Sequence, residues 1–239
     1  MKLKLLEKIE VAQNTKSFYF EGEKKISWLP GQYYYFTLPK LTHPDPKGGT
    51  RHFTISTSPT EDKFGFTTRM REESGFKSTL DELAIGTLVD IEGPEGTFIL
   101  DEHEKGSHIF LAGGIGITPF RSFIKYNIDK SLKDSDLHLL YANSTSDQIT
   151  FMSDFETWSK ENNNITVDLT VSKPDKMWRG LSGRIDENMI QTTISKHKIQ
   201  NPTFWLCGPP GMVSAMENTL NSLKIPSGKT RIEKFTGYS

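Results

Sequence analysis

The chain has 239 residues, which allows either two compact domains or one large one. Its 29 basic and 30 acidic residues nearly balance, and this excludes nucleic acid or an acidic membrane as a partner bound through net charge. The single cysteine, Cys207, excludes an intramolecular disulfide and an iron–sulfur cluster held only by cysteines of this chain.

The first 103 residues carry short β-rich runs, separated by turns rich in proline and glycine. In chain order these runs are LKLLEKIEV, SFYFEG, QYYYFTL, RHFTIST, FGFTTRM, LVDIEG and TFIL. A single helical segment, FKSTLDEL, interrupts them. This pattern of short strands and turns predicts a small antiparallel β-barrel over residues 1–103.

From residue 104 onward, strand-like and helix-like segments alternate up to a last strand-like run, TRIEKFTGY. The alternating segments are HIFLAGG, TPFRSFIKYNIDK, DLHLLYAN, ITFMSDFETWSKEN, ITVDLTVS, RIDENMIQTTI, TFWLCGP and GMVSAMENTLNSL. Such alternation predicts a parallel sheet with helices on its faces, and therefore a second domain over residues 104–239.

The N-terminal segment MKLKLLEKIEVAQ has frequent charges and lacks the apolar core of a signal peptide. No apolar run approaches the length that a membrane-spanning helix needs. We therefore expect a cytoplasmic protein that is not transmembrane.

A glycine-rich turn follows the first strand of the second half. Gly113, Gly114 and Gly116 precede Thr118-Pro119, so flexible backbone leads into a helix with proline in its first turn. The free N–H groups of such a helix start can bind a phosphate. A tight turn with close helix packing is the alternative. The next strand ends in Asn143 rather than in the acidic residue that often binds a ribose.

A second candidate for phosphate binding is the helix FKSTLDEL in the first half. Ser74 is placed to cap this helix, which leaves the N–H groups of Phe76, Lys77 and Ser78 near its start. FKST is not the end of a Walker loop, because Phe76 stands where that motif requires glycine. An ordinary capped helix between two strands is the alternative.

The stretch RHFTISTS, residues 51–58, combines an arginine with several hydroxyls on a strand-like segment. Strand alternation places Arg51 and Phe53 on one face, and His52 and Thr54 on the other. A fixed guanidinium fork suits a phosphate. The alternative is a cross-strand ladder of Thr and Ser hydroxyls with a surface arginine.

Taken in order along nearly the whole chain, these motifs resemble the ferredoxin–NADP reductase family of FAD-dependent oxidoreductases. RHFT stands in place of the family's R-x-[YF]-[ST]. The full series is PGQYYYFTL, RHFT, FKST, GPEGTF, GGIGITP, CGPPG and the C-terminal EKFTGY. The resemblance implies an antiparallel six-stranded FAD-binding barrel followed by an α/β doubly wound parallel sheet that binds NAD(P).

The resemblance also implies roles for residues of the barrel. Arg51 would pair with the FAD pyrophosphate, Phe53 would lie against the isoalloxazine, and the Thr54 hydroxyl would donate toward flavin N5. The further positions that match FAD-binding segments are Arg69 and Met70 on the strand FGFTTRM, and Lys77 and Ser78 on the following helix.

In the second half, Gly114, Gly116 and Thr118 match the nucleotide-binding turn. Cys207 matches a cysteine that the family keeps near nicotinamide C4, and Gly208 and Pro209 shape the turn after it. Phe235 matches the terminal aromatic residue that stacks on the flavin and moves aside for nicotinamide; Tyr238 competes for that assignment. Thr54, Cys207 and Phe235 are therefore the residues expected at the reacting atoms.

The function implied is an FAD-dependent NAD(P)H oxidoreductase that takes hydride from NAD(P)H to flavin N5 and passes electrons to a separate acceptor, a ferredoxin or another redox protein. A flavin reductase acting on free flavin is an alternative, and a non-catalytic nucleotide-binding regulatory or scaffold domain is another. The histidines do not cluster at metal-ligand spacing, so we expect no metal.

The sequence favours NADH over NADPH. NADP recognition usually places an arginine against the 2′-phosphate, and YANSTSDQITF offers serine, threonine and Asp147 there. Arg121, Lys173 and Arg179 are the basic residues that folding would have to bring in to reverse this preference.

Overall fold

The structure is a computed structural model and describes residues 1–235. Its first half is an antiparallel sheet with the strand order β4-β3-β6-β1-β2-β5. The strands are β1 (Lys2–Ala12), β2 (Thr15–Gly22), β3 (Tyr33–Thr37), β4 (Thr50–Thr54), β5 (Phe64–Arg69) and β6 (Leu88–Glu95), and helix α1 (Gly75–Glu82) lies between β5 and β6.

This sheet curls into a barrel because one face of its strands is aromatic and buried. In β3, Tyr34 and Phe36 are buried while Tyr33 and Tyr35 point outward, as period-two alternation requires. The edge strands β4 and β5 meet at a single bridge between Ile55 and Phe66. We call the place where these two edge strands, β4 and β5, come together the seam of the barrel.

The second half is a parallel six-stranded sheet with the order β10-β9-β8-β7-β11-β12. Its elements are β7 (Gly106–Gly113), α2 (Thr118–Asp129), β8 (Ser135–Asn143), α3 (Met152–Glu161), β9 (Ile165–Val171), β10 (Leu181–Ser182), α4 (Glu187–Lys196), β11 (Thr203–Gly208), α5 (Pro210–Ser222) and β12 (Thr230–Lys234).

Separate apolar cores cover the two faces of this sheet. Phe120 and Phe155, from α2 and α3, pack on one face, and Ile190 and Val213, from α4 and α5, pack on the other. The sheet is therefore doubly wound, as predicted. No helix in the described part of the chain is long and apolar enough to cross a membrane.

Two predicted strands are wrong in detail. TFIL forms no strand; Phe98 instead packs against Trp205 and Phe120 of the second core, with ring centroids 5.2 and 5.9 Å away. RHFTIST is strand only to Thr54, because beyond it the backbone pairs with Gly65 through Ser56 and Thr57 rather than continuing the ladder with β3. Contacts with residues distant in sequence therefore determine the conformation of both segments.

Candidate active site

Arg51 lies on β4 at the seam, beside the start of α1. Its guanidinium contacts Asp45 at 2.5 Å through Nη2 and donates through Nη1 to the carbonyls of Lys47, Gly48 and Thr50. It also lies over the Phe76 ring, 5.2 Å from the centroid. A guanidinium has five N–H donors, so Nε and the second hydrogen of Nη2 remain for another acceptor.

Asp45 was missed by sequence reasoning, although it organises this region. Its Oδ2 accepts hydrogen bonds from the Phe76 amide at 2.9 Å and from the Ser74 hydroxyl at 3.2 Å. Burial acts to raise the pKa of Asp45, but hydrogen bonds from Phe76 and Lys47 and the charge of Arg51 outweigh it and lower the pKa. Asp45 therefore stays ionised, holding Arg51 against the helix start.

Ser74 caps α1 as predicted, because its side chain accepts from the Lys77 amide at 3.3 Å. Burial is the main cause that lowers the pKa of the Lys77 ammonium to about 8; the charges of Arg71, Arg51 and Arg69 act in the same direction and Glu73 opposes them. Lys77 donates to the Arg69 carbonyl at 2.7 Å. Within residues 1–235, no carboxylate pairs with it.

Several polar groups around the seam remain uncommitted. The Arg69 guanidinium and the hydroxyls of Thr54 and Ser78 make no hydrogen bond or ion pair with any residue of 1–235. Arg69 and Ser78 lie, with half-buried Lys77, at a helix start whose dipole favours an anion. This donor set fits a diphosphate such as that of FAD.

The remaining hydroxyls of RHFTISTS are used inside the protein. Ser56 and Ser17 both bond the Thr67 hydroxyl, at 2.9 and 2.7 Å, and the Gly65 amide donates to Thr57. Ser56 therefore takes part in a cross-strand contact between hydroxyls, as in the alternative prediction, whereas the Thr57 hydroxyl bonds the backbone of Gly65. Thr54 takes part in neither contact.

Two apolar residues expected to flank the flavin lie at the rim of the barrel core. The Phe53 ring stacks on Phe66 with centroids 4.0 Å apart and an interplanar angle of 3°. Met70, just beyond β5, is partly buried against the same core. Both are only half-buried, so each retains an accessible surface at the seam.

The glycine turn of the second domain is built for close approach to β11. A Cβ on Gly116 would lie 2.3 Å from the Cys207 carbonyl oxygen, and one on Gly113 would lie 2.0 Å from Sδ of Met212. Gly114 adopts a positive φ of 51°, which glycine tolerates best. The Thr118 hydroxyl is buried and donates to the Ile115 carbonyl, which leaves the backbone at this helix start as the binding element.

Cys207 is fully buried at the end of β11, where Gly208 and Pro209 lead into α5. Burial raises the pKa of its thiol well above the usual value, and neighbouring Glu233 adds to the effect. The thiol is therefore protonated at neutral pH and is not a thiolate nucleophile.

Glu233, on β12, and Phe235, just after it, lie beside the end of β11 that carries Cys207. Glu233 pairs with Cys207 across β11 and β12, and burial raises the pKa of its carboxyl to about 7. The Phe235 amide donates to the Gly208 carbonyl at 3.1 Å, and its ring packs partly buried against the core that contains Cys207. Tyr238 lies outside the described residues. Glu233 was missed because nothing local marks a glutamate on an edge strand as buried.

The two sites face each other. Nη2 of Arg69, at the end of β5, lies 4.0 Å from where a Cβ on Gly114 would be. The cationic helix start and the glycine turn thus lie next to each other where the two domains meet. Within residues 1–235, no group of three or more His, Cys, Asp or Glu side chains is arranged to hold a metal ion.

The segment after β8 has mixed charge. Lys173 donates its amide to the Ser144 carbonyl at 2.8 Å, while the Ser146 hydroxyl donates to Asp175 at 2.9 Å. The Ser146 hydrogen bond lowers the pKa of Asp175 and keeps it ionised. Arg121 does not reach this segment, since its guanidinium is buried against Glu61. Folding therefore brings Lys173 to this loop, and Arg179 near enough for its charge to lower the pKa of Asp175, whereas Arg121 is held elsewhere.

Two family models match the chain. The Oxidoreductase FAD-binding domain matches residues 2–100, and the Oxidoreductase NAD-binding domain matches residues 110–218. A barrel of the first kind followed by a sheet of the second defines the class of FAD-dependent NAD(P)H oxidoreductases. Within this class the chain belongs to the ferredoxin–NADP reductase-like family.

Individual relatives agree with this assignment. NADH-cytochrome b5 reductase 1 of Scheffersomyces stipitis is 27% identical over 95% of this chain and 80% of its own length. The anthranilate 1,2-dioxygenase electron transfer component of Acinetobacter baylyi is 27% identical over 89% of this chain, which spans only 59% of that protein. The ferredoxin NADP+ reductase of Neisseria gonorrhoeae, with bound FAD and NADP, shares the fold: the TM-score is 0.81 at 15% identity, covering 98% of both chains.

Proposed function

We propose that this protein takes hydride from a nicotinamide cofactor to N5 of a bound FAD and passes electrons on to a separate redox protein. The observation that carries the proposal is that the uncommitted guanidinium of Arg69, beside half-buried Lys77, lies against the glycine turn at Gly114. When bound, FAD supplies the hydride acceptor and releases electrons to the next carrier.

Each set of residues has one task in this proposal. Groups at the start of α1 and the end of β5 hold the diphosphate, the Thr54 hydroxyl points toward flavin N5, and Phe53 and Met70 flank the ring. The diphosphate-binding groups are Arg51, Arg69, Lys77 and Ser78.

In the second domain, the backbone of Gly114, Gly116 and Thr118 and the α2 start bind the nicotinamide nucleotide, with Gly208 and Pro209 shaping the opposite wall. Phe235, which packs partly buried against the core that contains Cys207, stacks on the flavin and moves aside when nicotinamide enters. We also place the domain boundary at residues 103–104, between the end of β6 at Glu95 and the start of β7 at Gly106.

The acceptor is proposed from relatives whose names include a cytochrome b5 reductase and a dioxygenase electron transfer component. The test is to purify the protein with FAD and record its absorbance anaerobically. We expect a yellow protein that NADH bleaches and that then reduces a ferredoxin or cytochrome b5. Rapid reduction of free flavin alone would favour a flavin reductase, and a colourless protein that takes up no FAD would overturn the proposal in favour of a scaffold.

We further propose NADH as the preferred donor. Asp147 and Asp175 lie on the segment where a 2′-phosphate would bind, and both repel it. A comparison of kcat/KM for the two cofactors tests this, and we expect the larger value with NADH. A strong preference for NADPH would contradict it and point to Lys173, which Lys173→Ala would then confirm.

A further inference from the structure

The most deeply buried ion pair between the domains is formed by Arg121 of α2. Its side chain is 10% exposed and binds both carboxylate oxygens of Glu61, on the β4–β5 loop, at 2.8 and 3.0 Å. Nη2 also lies 3.3 Å from Asp154 of α3. A paired, bidentate guanidinium of this kind has one favourable geometry.

Aromatic residues complete the surroundings of Arg121. Its guanidinium lies over the rings of Phe151 and Trp158, 5.0 and 5.5 Å from their centroids. Burial acts to lower the pKa of Arg121, but the Glu61 hydrogen bonds and the Asp154 charge outweigh it and raise the pKa. The contact is thus charged and mostly shielded from water, and removing Arg121 would leave the Glu61 carboxylate, whose side chain is 21% exposed, without its charged partner.

Two consecutive residues of α2 bind two consecutive carbonyls of the barrel. Arg121 Nη1 donates to the Ser56 carbonyl at 3.0 Å, and the Ser122 hydroxyl donates to the Thr57 carbonyl at 2.8 Å. Ser56 follows Thr54 by two residues, and Arg121 follows Thr118 by three. These hydrogen bonds therefore connect the segment just after β4, which is proposed to lie at the flavin, to α2, which starts at the glycine turn.

We infer that Arg121 is a positioning residue that sets the distance between the hydride donor and acceptor sites. It is not among the residues proposed to bind either cofactor; with Ser122 it fixes the Ser56–Thr57 backbone against α2, and so holds Thr54 relative to Gly116. This inference rests on the proposed function, because the distance matters only if hydride passes from one cofactor to the other. Replacing Arg121 should therefore slow hydride transfer more than it weakens NADH binding, since small displacements of reacting groups lower the rate of the reaction.

The experiment compares Arg121→Met, Arg121→Lys and Ser122→Ala with the wild type, all loaded with FAD. Lys105→Met is the control, because it breaks the Lys105–Asp134 pair, which lies wholly within the second domain. Anaerobic stopped-flow measurements with increasing NADH separate the limiting rate of flavin reduction from the dissociation constant of NADH. The charge-transfer absorbance of the flavin–nicotinamide complex reports on ring overlap.

We expect Arg121→Met to lower the limiting rate by about tenfold to a hundredfold, with nearly unchanged NADH affinity and FAD content, and to weaken the charge-transfer absorbance. Arg121→Lys should lose less rate, and Ser122→Ala least. Lys105→Met should match the wild type.

A wild-type limiting rate and charge-transfer absorbance in Arg121→Met would overturn the inference while leaving the proposed function intact. A wild type that NADH and NADPH both fail to reduce would instead overturn the proposed function. If Arg121→Met does not fold, Glu61→Gln decides: it removes the charge that fixes Arg121, so it should lower the limiting rate, and an unchanged rate contradicts the inference. A double-mutant cycle of Glu61→Gln and Ser122→Ala on thermal unfolding without FAD checks the contact independently of turnover.

Discussion

The two helix starts proposed to bind phosphate, those of α1 and α2, offer different groups to it. At α1 the donors are charged side chains, with Arg51, Arg69 and Lys77 around the N-terminus. At α2 no charged side chain lies between Ala112 and Phe120, and the glycines bring backbone N–H groups within reach. The α1 site thus offers charged side chains, and the α2 site offers backbone N–H groups that the glycines leave accessible.

This difference matches the tasks of two nucleotides that behave differently. Charge-assisted hydrogen bonds are about twice as strong as neutral ones, which suits a cofactor that stays bound through many turnovers. A backbone site with a helix dipole offers weaker binding, which suits a cofactor that must leave after each hydride transfer. Substitutions at the two sites should therefore separate FAD retention from nicotinamide use.

The largest effect is expected from Gly116→Ala. The new Cβ would lie 2.3 Å from the Cys207 carbonyl oxygen, and neither backbone can yield without moving the turn or β11. We expect kcat/KM for NADH to fall by about a hundredfold while FAD content stays unchanged. Gly228→Ala is the matched control, because no atom lies within 4 Å of its Cβ position and it lies outside the proposed site. Wild-type kcat/KM in Gly116→Ala would show that the turn is not the nicotinamide site.

Arg51→Ala should act on FAD alone. Losing a charged partner for the diphosphate should weaken FAD binding by about tenfold to a hundredfold, measured as bound FAD per folded chain and by titration of flavin fluorescence. Asp45→Asn is the companion variant: it removes the same ion pair but leaves the guanidinium, so its FAD affinity should lie closer to that of the wild type. Equal losses in both variants would mean that Arg51 only stabilises the loop.

The pH dependence of FAD binding tests Lys77. Its pKa of about 8 means that the ammonium loses its proton as pH rises through that value, whereas a bound diphosphate favours the charged form and raises the pKa. FAD affinity should therefore fall above about pH 8, by at most about tenfold per pH unit. Lys77→Met should bind FAD more weakly below that pH and lose this pH dependence. The same slope in both proteins would exclude Lys77.

The smallest effect is expected from Phe235→Ala. If the ring occupies part of the nicotinamide site, removing a competitor should lower the dissociation constant of NADH severalfold and change the rate of flavin reduction. Ile232→Ala, on the same strand but 39% exposed, should change neither. Unchanged NADH binding in Phe235→Ala would remove Phe235 from the site and leave Tyr238 as the candidate.

Local signals in the sequence predicted much of the fold. Ser74 as a helix cap and Pro119 in the first turn of α2 both lie where predicted, because capping and turn geometry depend on a few neighbouring residues. The strand predicted at TFIL was wrong, because the β-rich composition of this segment did not reveal that Phe98 packs on Trp205 of the other domain.

By itself, the sequence determined the order of barrel and parallel sheet, the positions of the helix starts at α1 and α2, and the cysteine at the end of a strand. Only the tertiary structure decided the partners of charged groups: Asp45 on Arg51, Glu61 on Arg121, and Glu233 beside Cys207. The physical reason is that backbone conformation follows from neighbours in sequence, whereas an ion pair depends on which distant side chain the fold brings within about 4 Å, where charges away from water interact strongly. Acidic residues are spread along the whole chain, and their spacing does not show which of them will be buried.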